Sequence, residues 1–259
     1  MVKKRIIFTL LYDNGWFMLS RNFRLQKVGD LAWLQTHYNF SRISFSIDEL
    51  IVLDVSRTER SPAAFCDALK ALTQGCFVPI AAGGGIRSIE AAHRLLRSGA
   101  DKIVLNTALF ENETLIADLS SEFGQQCIVA ALDIKRAPNG DFQTWVESGT
   151  VCLEGSASSR AFKVACGPIG EIYLNSMDRD GTGRGLPIAR PNRIRHQQTS
   201  NFGWWGWQCY ASGRGVGGPA RRRCCNGTFV KLCGRWFNES PSGADFGRSR
   251  FTAVGYPST

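Results

Sequence analysis

Five polar clusters in this 259-residue chain stand directly behind apolar runs: Asp54, Gly83-Gly84-Gly85, Asn106-Thr107, Asp133 and Asp178-x-Asp180-Gly181-Thr182. Aspartates in such places can take up or release a proton. The backbone N–H groups of a glycine turn that enters a helix suit an anion without requiring a lysine. Asp133 closes the run "VAAL" and must face the solvated end of its strand, because an unpaired charge within an apolar layer would be costly. The nine cysteines are an odd, scattered count with no Cys-x-x-Cys pair. That argues against a zinc site and a disulfide framework and suits a reducing cytoplasm, and no metal and no cofactor are expected.

These residues need a frame, and the runs before them supply one. Candidate strands are Arg5–Leu11, Glu49–Val55, Phe77–Ala82, Lys102–Asn106, Cys127–Asp133 and Glu171–Ser176, each rich in β-branched residues or leucine, as strands buried on both faces are. Helical patterns cover Ser61–Thr73, Ser88–Ser98 and Asn112–Phe123. In the second, Ile89, Ala92, Leu95 and Leu96 share a face, Ser88 is a candidate N-cap and Gly99 a stop. Strict alternation of strand and helix predicts βα units around a parallel sheet. The polar clusters then share one rim, where a (βα)8 barrel carries its active site. A doubly wound sheet also uses its strand ends, but no Gly-x-Gly-x-x-Gly follows the first strand. The fold expected is therefore α/β, a (βα)8 TIM barrel.

The charge is split along the chain. From Arg184 onward there are twelve basic residues, eleven of them arginine, against Glu239 and Asp245; residues 1–183 hold 19 basic and 20 acidic ones. Only seven residues of that tail are Leu, Ile or Val, too few for a core. A phosphate-binding arm would favour lysine and repeated basic clusters, so nucleic acid is not the expected partner. The basic, apolar N-terminus stops at Leu11 without a cleavage site, and no run is long enough for a membrane span, so no membrane is expected either. Two regions result: 1–184, a barrel with six strands, and 185–259, a Trp/Gly/Arg-rich segment that is not a native domain.

An internal repeat bears on that segment. "DELIVLDVSRT" and "GEIYLNSMDRDGT" share a pattern, and the glycines of "VPIAAGGG" begin 29 residues after Asp54. A second glycine turn is due as far after Asp178, where "FGWWGW" stands. Tryptophan has one codon, TGG. Read one nucleotide later, the codons of "NFGWWGWQ" can give Ile-Leu-Ala-Gly-Gly-Val-Gly, a strand ending in a glycine turn. Residues from about Gly185 onward are thus expected to be translated in a shifted frame, with the last two βα units garbled.

"KRII", "DELIVLD", "PIAAGGGIRSIEAA", "GADKIVLNTA", "VAALDIKR" and "GEIYLNSMDRDGTGRG" resemble, in order and spacing, the cyclase subunit of imidazole glycerol phosphate synthase. The resemblance implies a TIM barrel with a glutaminase partner, as a heterodimer, on its N-terminal face. Ammonia then passes to the opposite face, where a phosphorylated aminoimidazole precursor is cleaved and cyclised in histidine biosynthesis, a lyase-type reaction. It implies a phosphate held by Gly84, Gly85, Asn106 and Thr107, and half of a second phosphate site at Asp180, Gly181 and Thr182. Asp133 matches one of two catalytic acids and Asp54 a supporting rim aspartate. Arg5, Glu49, Lys102 and Glu171, at strand starts, match a charged gate for ammonia.

The chain departs from the family at two places. Leu11 occupies the slot of the second catalytic aspartate and Leu19 that of a loop lysine, while Asp13 is two residues away. The stretch Val151–Cys166 is also poor in helical apolar period. Two other readings follow: an ammonia-channelling paralogue that serves amidation of a surface-polysaccharide sugar, favoured by Leu11 and Leu19, and an inactive frame-shifted remnant.

Overall fold

The structure is a computed structural model that describes residues 6–37, 46–182 and 229–232, the last as a strand backbone. Its centre is a run of parallel strands: β1 (Ile7–Asp13), β4 (Glu49–Asp54), β5 (Ile80–Gly83), β6 (Lys102–Leu105), β7 (Ile128–Arg136) and β10 (Glu171–Ser176). Each pairs in parallel with the next, from Ile7↔Glu49 in the first pair to Ser176↔Ile134 in the last. These are the six strands expected.

Between them lie α2 (Pro62–Thr73), α3 (Ile89–Arg97), α4 (Ala108–Glu111), α5 (Glu113–Phe123) and α6 (Ala157–Ala165). Side chains cap four of them. Ser61, Ser88, Asn112 and Ser156 accept hydrogen bonds from the N–H groups of Ala64, Ala91, Leu115 and Ser159, satisfying donors that the first turn leaves open.

Alternation along the strands makes two cores. Leu50, Val52, Ala82, Ile103, Leu105, Ile128, Ala130 and Leu132 face the helices in one cluster. Ile51, Ala81, Val104, Val129, Ala131 and Tyr173, with Ile7 and Leu53 against them, fill the other face, the barrel interior. Successive strand residues point to opposite faces, so parity assigns every rim side chain to one layer or the other.

Two expectations need correction. The third strand begins at Ile80 rather than Phe77: Pro79 interrupts the run and Phe77 is 84% exposed. The first strand does not stop at Leu11. It runs to Asp13 and turns through Asn14 and Gly15, both at positive φ, into β2 (Trp16–Arg21) and then β3 (Arg24–Gly29). Asn-Gly is the pair a two-residue hairpin turn of this hand favours. Within 151–166, poor in helical apolar period, Ser156 caps the helix α6 and only Ala157 and Val164 of it are buried. On its outer edge β10 is paired in parallel with β11 (Phe229–Leu232), Glu171↔Phe229 to Leu174↔Leu232. That strand belongs to the segment read as non-native. The "FGWWGW" stretch lies outside the described residues.

Three further elements follow the first hairpin and β7. A short helix α1 (Leu31–His37) follows the first hairpin, and β8 (Phe142–Val146) folds back antiparallel on the end of β7, itself paired to β9 (Val151–Cys152).

Candidate active site at the carboxyl ends of the parallel strands

Asp133 is held by amides on both sides. Asn106 Nδ2 donates to its Oδ2 at 3.2 Å from the end of β6, and Asn175 Nδ2 donates to its Oδ1 at 3.0 Å from β10. Asn106 also donates to the carbonyl of Ala131 at 3.0 Å, which fixes its own amide. Asp133 is two residues beyond Ala131, so it points into the barrel interior at its upper end. Two N–H donors on two oxygens are what an ionised, acceptor-only carboxylate can use, and they hold it in one orientation. Asn175 was not singled out from the sequence; its register opposite Asp133 is the signal that tertiary pairing adds.

The glycine turn is built against Asp54. Gly84 has φ +122°, and a Cβ there would lie 2.2 Å from the Asp54 carbonyl oxygen, so no larger residue fits. Asp54 itself is buried on the helix-facing side of β4. Its Oδ1 accepts from the N–H and hydroxyl of Ser56 at 3.0 and 2.6 Å, and Arg60 Nε lies 3.7 Å from its Oδ2. It therefore shapes the turn from below. The Arg60 guanidinium reaches over the next residue: a Cβ on Gly85 would lie 3.0 Å from Nη1. This places a cation beside the glycines that sequence spacing did not reveal. Thr107 follows Asn106, its hydroxyl 3.4 Å from Asn106 Oδ1 and accepting from Glu147 N–H at 3.1 Å.

Asp180 is spent on structure. Its carboxylate, buried, accepts from the hydroxyl of Ser20 and from Phe23 N–H at 2.9 Å, and its carbonyl accepts from Asn22 N–H at 3.0 Å. Gly181, at φ +70°, packs against the Ser20 carbonyl, where a Cβ would come within 2.6 Å. The loop after β10 is thereby latched to the β2–β3 hairpin. Thr182 turns its hydroxyl to the Arg179 carbonyl at 2.8 Å.

At the opposite end, Lys102 Nζ donates to Glu171 Oε1 at 3.0 Å and to Glu49 Oε1 at 3.4 Å. All three sit at strand starts; the Lys102 side chain is 19% exposed and that of Glu49 only 1%. Burial alone would lower the lysine's pKa, but the hydrogen bond it donates to Glu171 and the charges of both carboxylates outweigh it and the net shift is upward. Above this cluster lie Ile51, Ala81, Val104, Val129, Ala131 and Tyr173, and above those Asp133. Arg5, the fourth residue expected in the gate, lies outside the described residues.

The departures are also placed. Leu11 pairs with Leu53 of β4 and Met18 of β2 and is 5% exposed. Leu53 belongs to the interior layer, so Leu11 does too, at the same end as Asp133. Leu19 is half-buried on β2 opposite Gln26, and Asp13 pairs with Trp16 at the hairpin turn. Among the described residues, no helix is long and apolar enough to cross a membrane.

Comparison with known proteins identifies the family of the chain. The family described as histidine biosynthesis protein matches residues 27–203. A protein of Parasynechococcus marenigrum, provisionally named imidazole glycerol phosphate synthase subunit hisF2, is 46% identical over 197 residues, covering 76% of this chain and 73% of its own. The imidazole glycerol phosphate synthase subunits HisF of Alkaliphilus metalliredigens and Corynebacterium diphtheriae are 34% and 35% identical; each alignment covers 75% of this chain, and 76% and 77% of theirs. The chain therefore belongs to the histidine biosynthesis protein family of TIM barrels, as a homologue of the HisF subunits of imidazole glycerol phosphate synthase.

Proposed function

We propose that this chain is a cyclase-type synthase subunit that accepts ammonia from a HisH-type glutaminase at the amino ends of its strands and delivers it to a phosphorylated acceptor at the carboxyl ends. The observation that carries this reading is the Lys102 bridge between Glu49 and Glu171, set below an apolar interior that leads to Asp133. A charged plug closes a barrel floor to water yet can part for a small neutral molecule, and an apolar lining beyond it favours neutral ammonia over ammonium. At the mouth, the Gly83–Gly85 turn with Arg60 above it suits a phosphate, and Asp133 is the oriented carboxylate that moves a proton.

The test is coupling. The full chain mixed with a HisH-type glutaminase should raise glutamine hydrolysis, and product formation should run on glutamine as well as on added ammonium. A glutaminase that is indifferent to the chain overturns the proposal.

Leu11 favours a second reading for the acceptor alone. Acid–base work on the aminoimidazole precursor uses two carboxylates, and here position 11, in the interior layer at the same end as Asp133, is a buried leucine that can neither give nor take a proton. The same ammonia delivery would then serve another acceptor, such as a surface-polysaccharide sugar. Turnover of the precursor at the rate of a HisF subunit would remove this second reading.

A further inference from the structure

The strand face that carries Asp133 continues beyond it. Lys135 follows on the same side, roughly 7 Å further from the barrel at two residues of strand rise. On β8, Trp145 is paired with Asp133 and Gln143 with Lys135, so these side chains share that face. Lys135, Gln143 and Trp145, together with Asp178 and Arg179 after β10, line a cavity of about 550 Å³.

Its charges are not balanced. Lys135 and Arg179 are both half-buried, and neither forms an ion pair among the described residues. Arg136 also lines the cavity, but its guanidinium lies over Phe142, 5.2 Å from the ring centre, and its backbone N–H donates to the lining carboxylate of Asp178 at 2.7 Å. The Lys135 ammonium rests on the indole of Trp145, 5.0 Å from the ring centre, where its three N–H donors stay available. The Trp145 Nε1 donor is buried and meets no acceptor among the described residues. A shielded indole N–H of this kind is uncommon and needs a partner.

We propose that this cavity is an anion subsite of the mouth. Lys135 and Arg179 hold a phosphate or carboxylate group of the acceptor, and the Trp145 indole donates to it once the ammonium has moved off the ring. The assignment rests on the reading that the acceptor reacts beside Asp133, and it adds an anion contact separate from the Gly84–Gly85 turn. It selects acceptors bearing an anionic group roughly 7 Å from the reacting atom.

The experiment is a titration of the full chain with inorganic phosphate and, separately, acetate, following tryptophan fluorescence against Trp145→Phe as the reference. A saturable change that vanishes in Trp145→Phe is expected with one of the anions, and the responding anion identifies the group. Lys135→Gln and Arg179→Gln should each weaken the apparent affinity about tenfold, the scale of losing one charge-assisted hydrogen bond. Arg179→Lys should recover part of it, which separates a lost contact from a lost fold. Absence of any Trp145-dependent change with both anions, or unchanged affinity in either single variant, overturns the subsite. The titration contains no glutaminase and no turnover, so its failure is distinct from failure of the ammonia-transfer reading.

Discussion

Asn175 donates a 3.0 Å hydrogen bond to Asp133 from the position directly paired with it across the parallel strands β10 and β7. Together with Asn106 it turns a rim aspartate into a fixed one. A double-mutant cycle on unfolding free energy with Asp133→Ala and Asn175→Ala should give a coupling of about 1.5–3 kcal/mol, the worth of a hydrogen bond to a charged group. Additive effects would mean that the pair is not formed in solution.

Lys102 separates two buried carboxylates, and the structure changes what its reversal would do. At the sequence level Lys102 is a rim position, where Lys102→Glu would disturb ammonia transfer more than folding. With Glu49 and Glu171 buried against it, that substitution would place three carboxylates together, and folding would fail first. Lys102→Met should destabilise by about 3–5 kcal/mol through uncompensated buried charge. Adding Glu171→Gln should return part of the loss. Denaturant unfolding of the two variants checks both statements.

The same lysine sets a pH dependence. Its folded pKa is raised above the unfolded value, so the bridge contributes fully below the unfolded lysine pKa, about 10.4, and its contribution fades as pH rises through the folded pKa. The stability difference between the parent and Lys102→Met should therefore be flat through neutral pH and shrink only in strong alkali. A difference that already falls between pH 6 and 8 would contradict the assignment.

Gly84 and Gly85 should respond differently to alanine. At Gly84 the added Cβ meets a backbone carbonyl at 2.2 Å, and at Gly85 it meets the end of the flexible Arg60 side chain at 3.0 Å. Gly84→Ala should cost well over about 1 kcal/mol and weaken phosphate binding, while Gly85→Ala should be milder. Thermal melting with and without phosphate distinguishes the two.

A buried leucine at position 11 carries a prediction about the chemistry. Supplied with ammonia and the two-phosphate aminoimidazole precursor, the chain should turn over at least ~10²-fold more slowly than a HisF subunit, the usual loss for a missing acid or base. Leu11→Asp should recover some activity, more with Leu19→Lys beside it. Leu11 is buried, so the gain comes with reduced stability, which melting of the variant would show.

Much of this protein is written locally. Runs such as Glu49–Asp54 and Glu171–Ser176 can only be strands buried on both faces, Ser61, Ser88 and Asn112 announce helix starts, and the polar clusters behind the strands mark the rim. These features depend on neighbours a few residues away, so periodicity and capping expose them. What tertiary structure alone decided is register and side. Only the pairing of β10 with β7 brings Asn175 to Asp133, only strand parity turns Asp54 toward the helices, and only the return of β8 puts Trp145 across from Asp133. The Asp180 latch on Ser20 and Phe23 joins residues about 160 apart, and the β11 pairing with β10 draws on a segment whose composition gave no hint of a strand. A hydrogen bond between distant residues leaves no period in the sequence, because its geometry exists only once the strands have been set side by side.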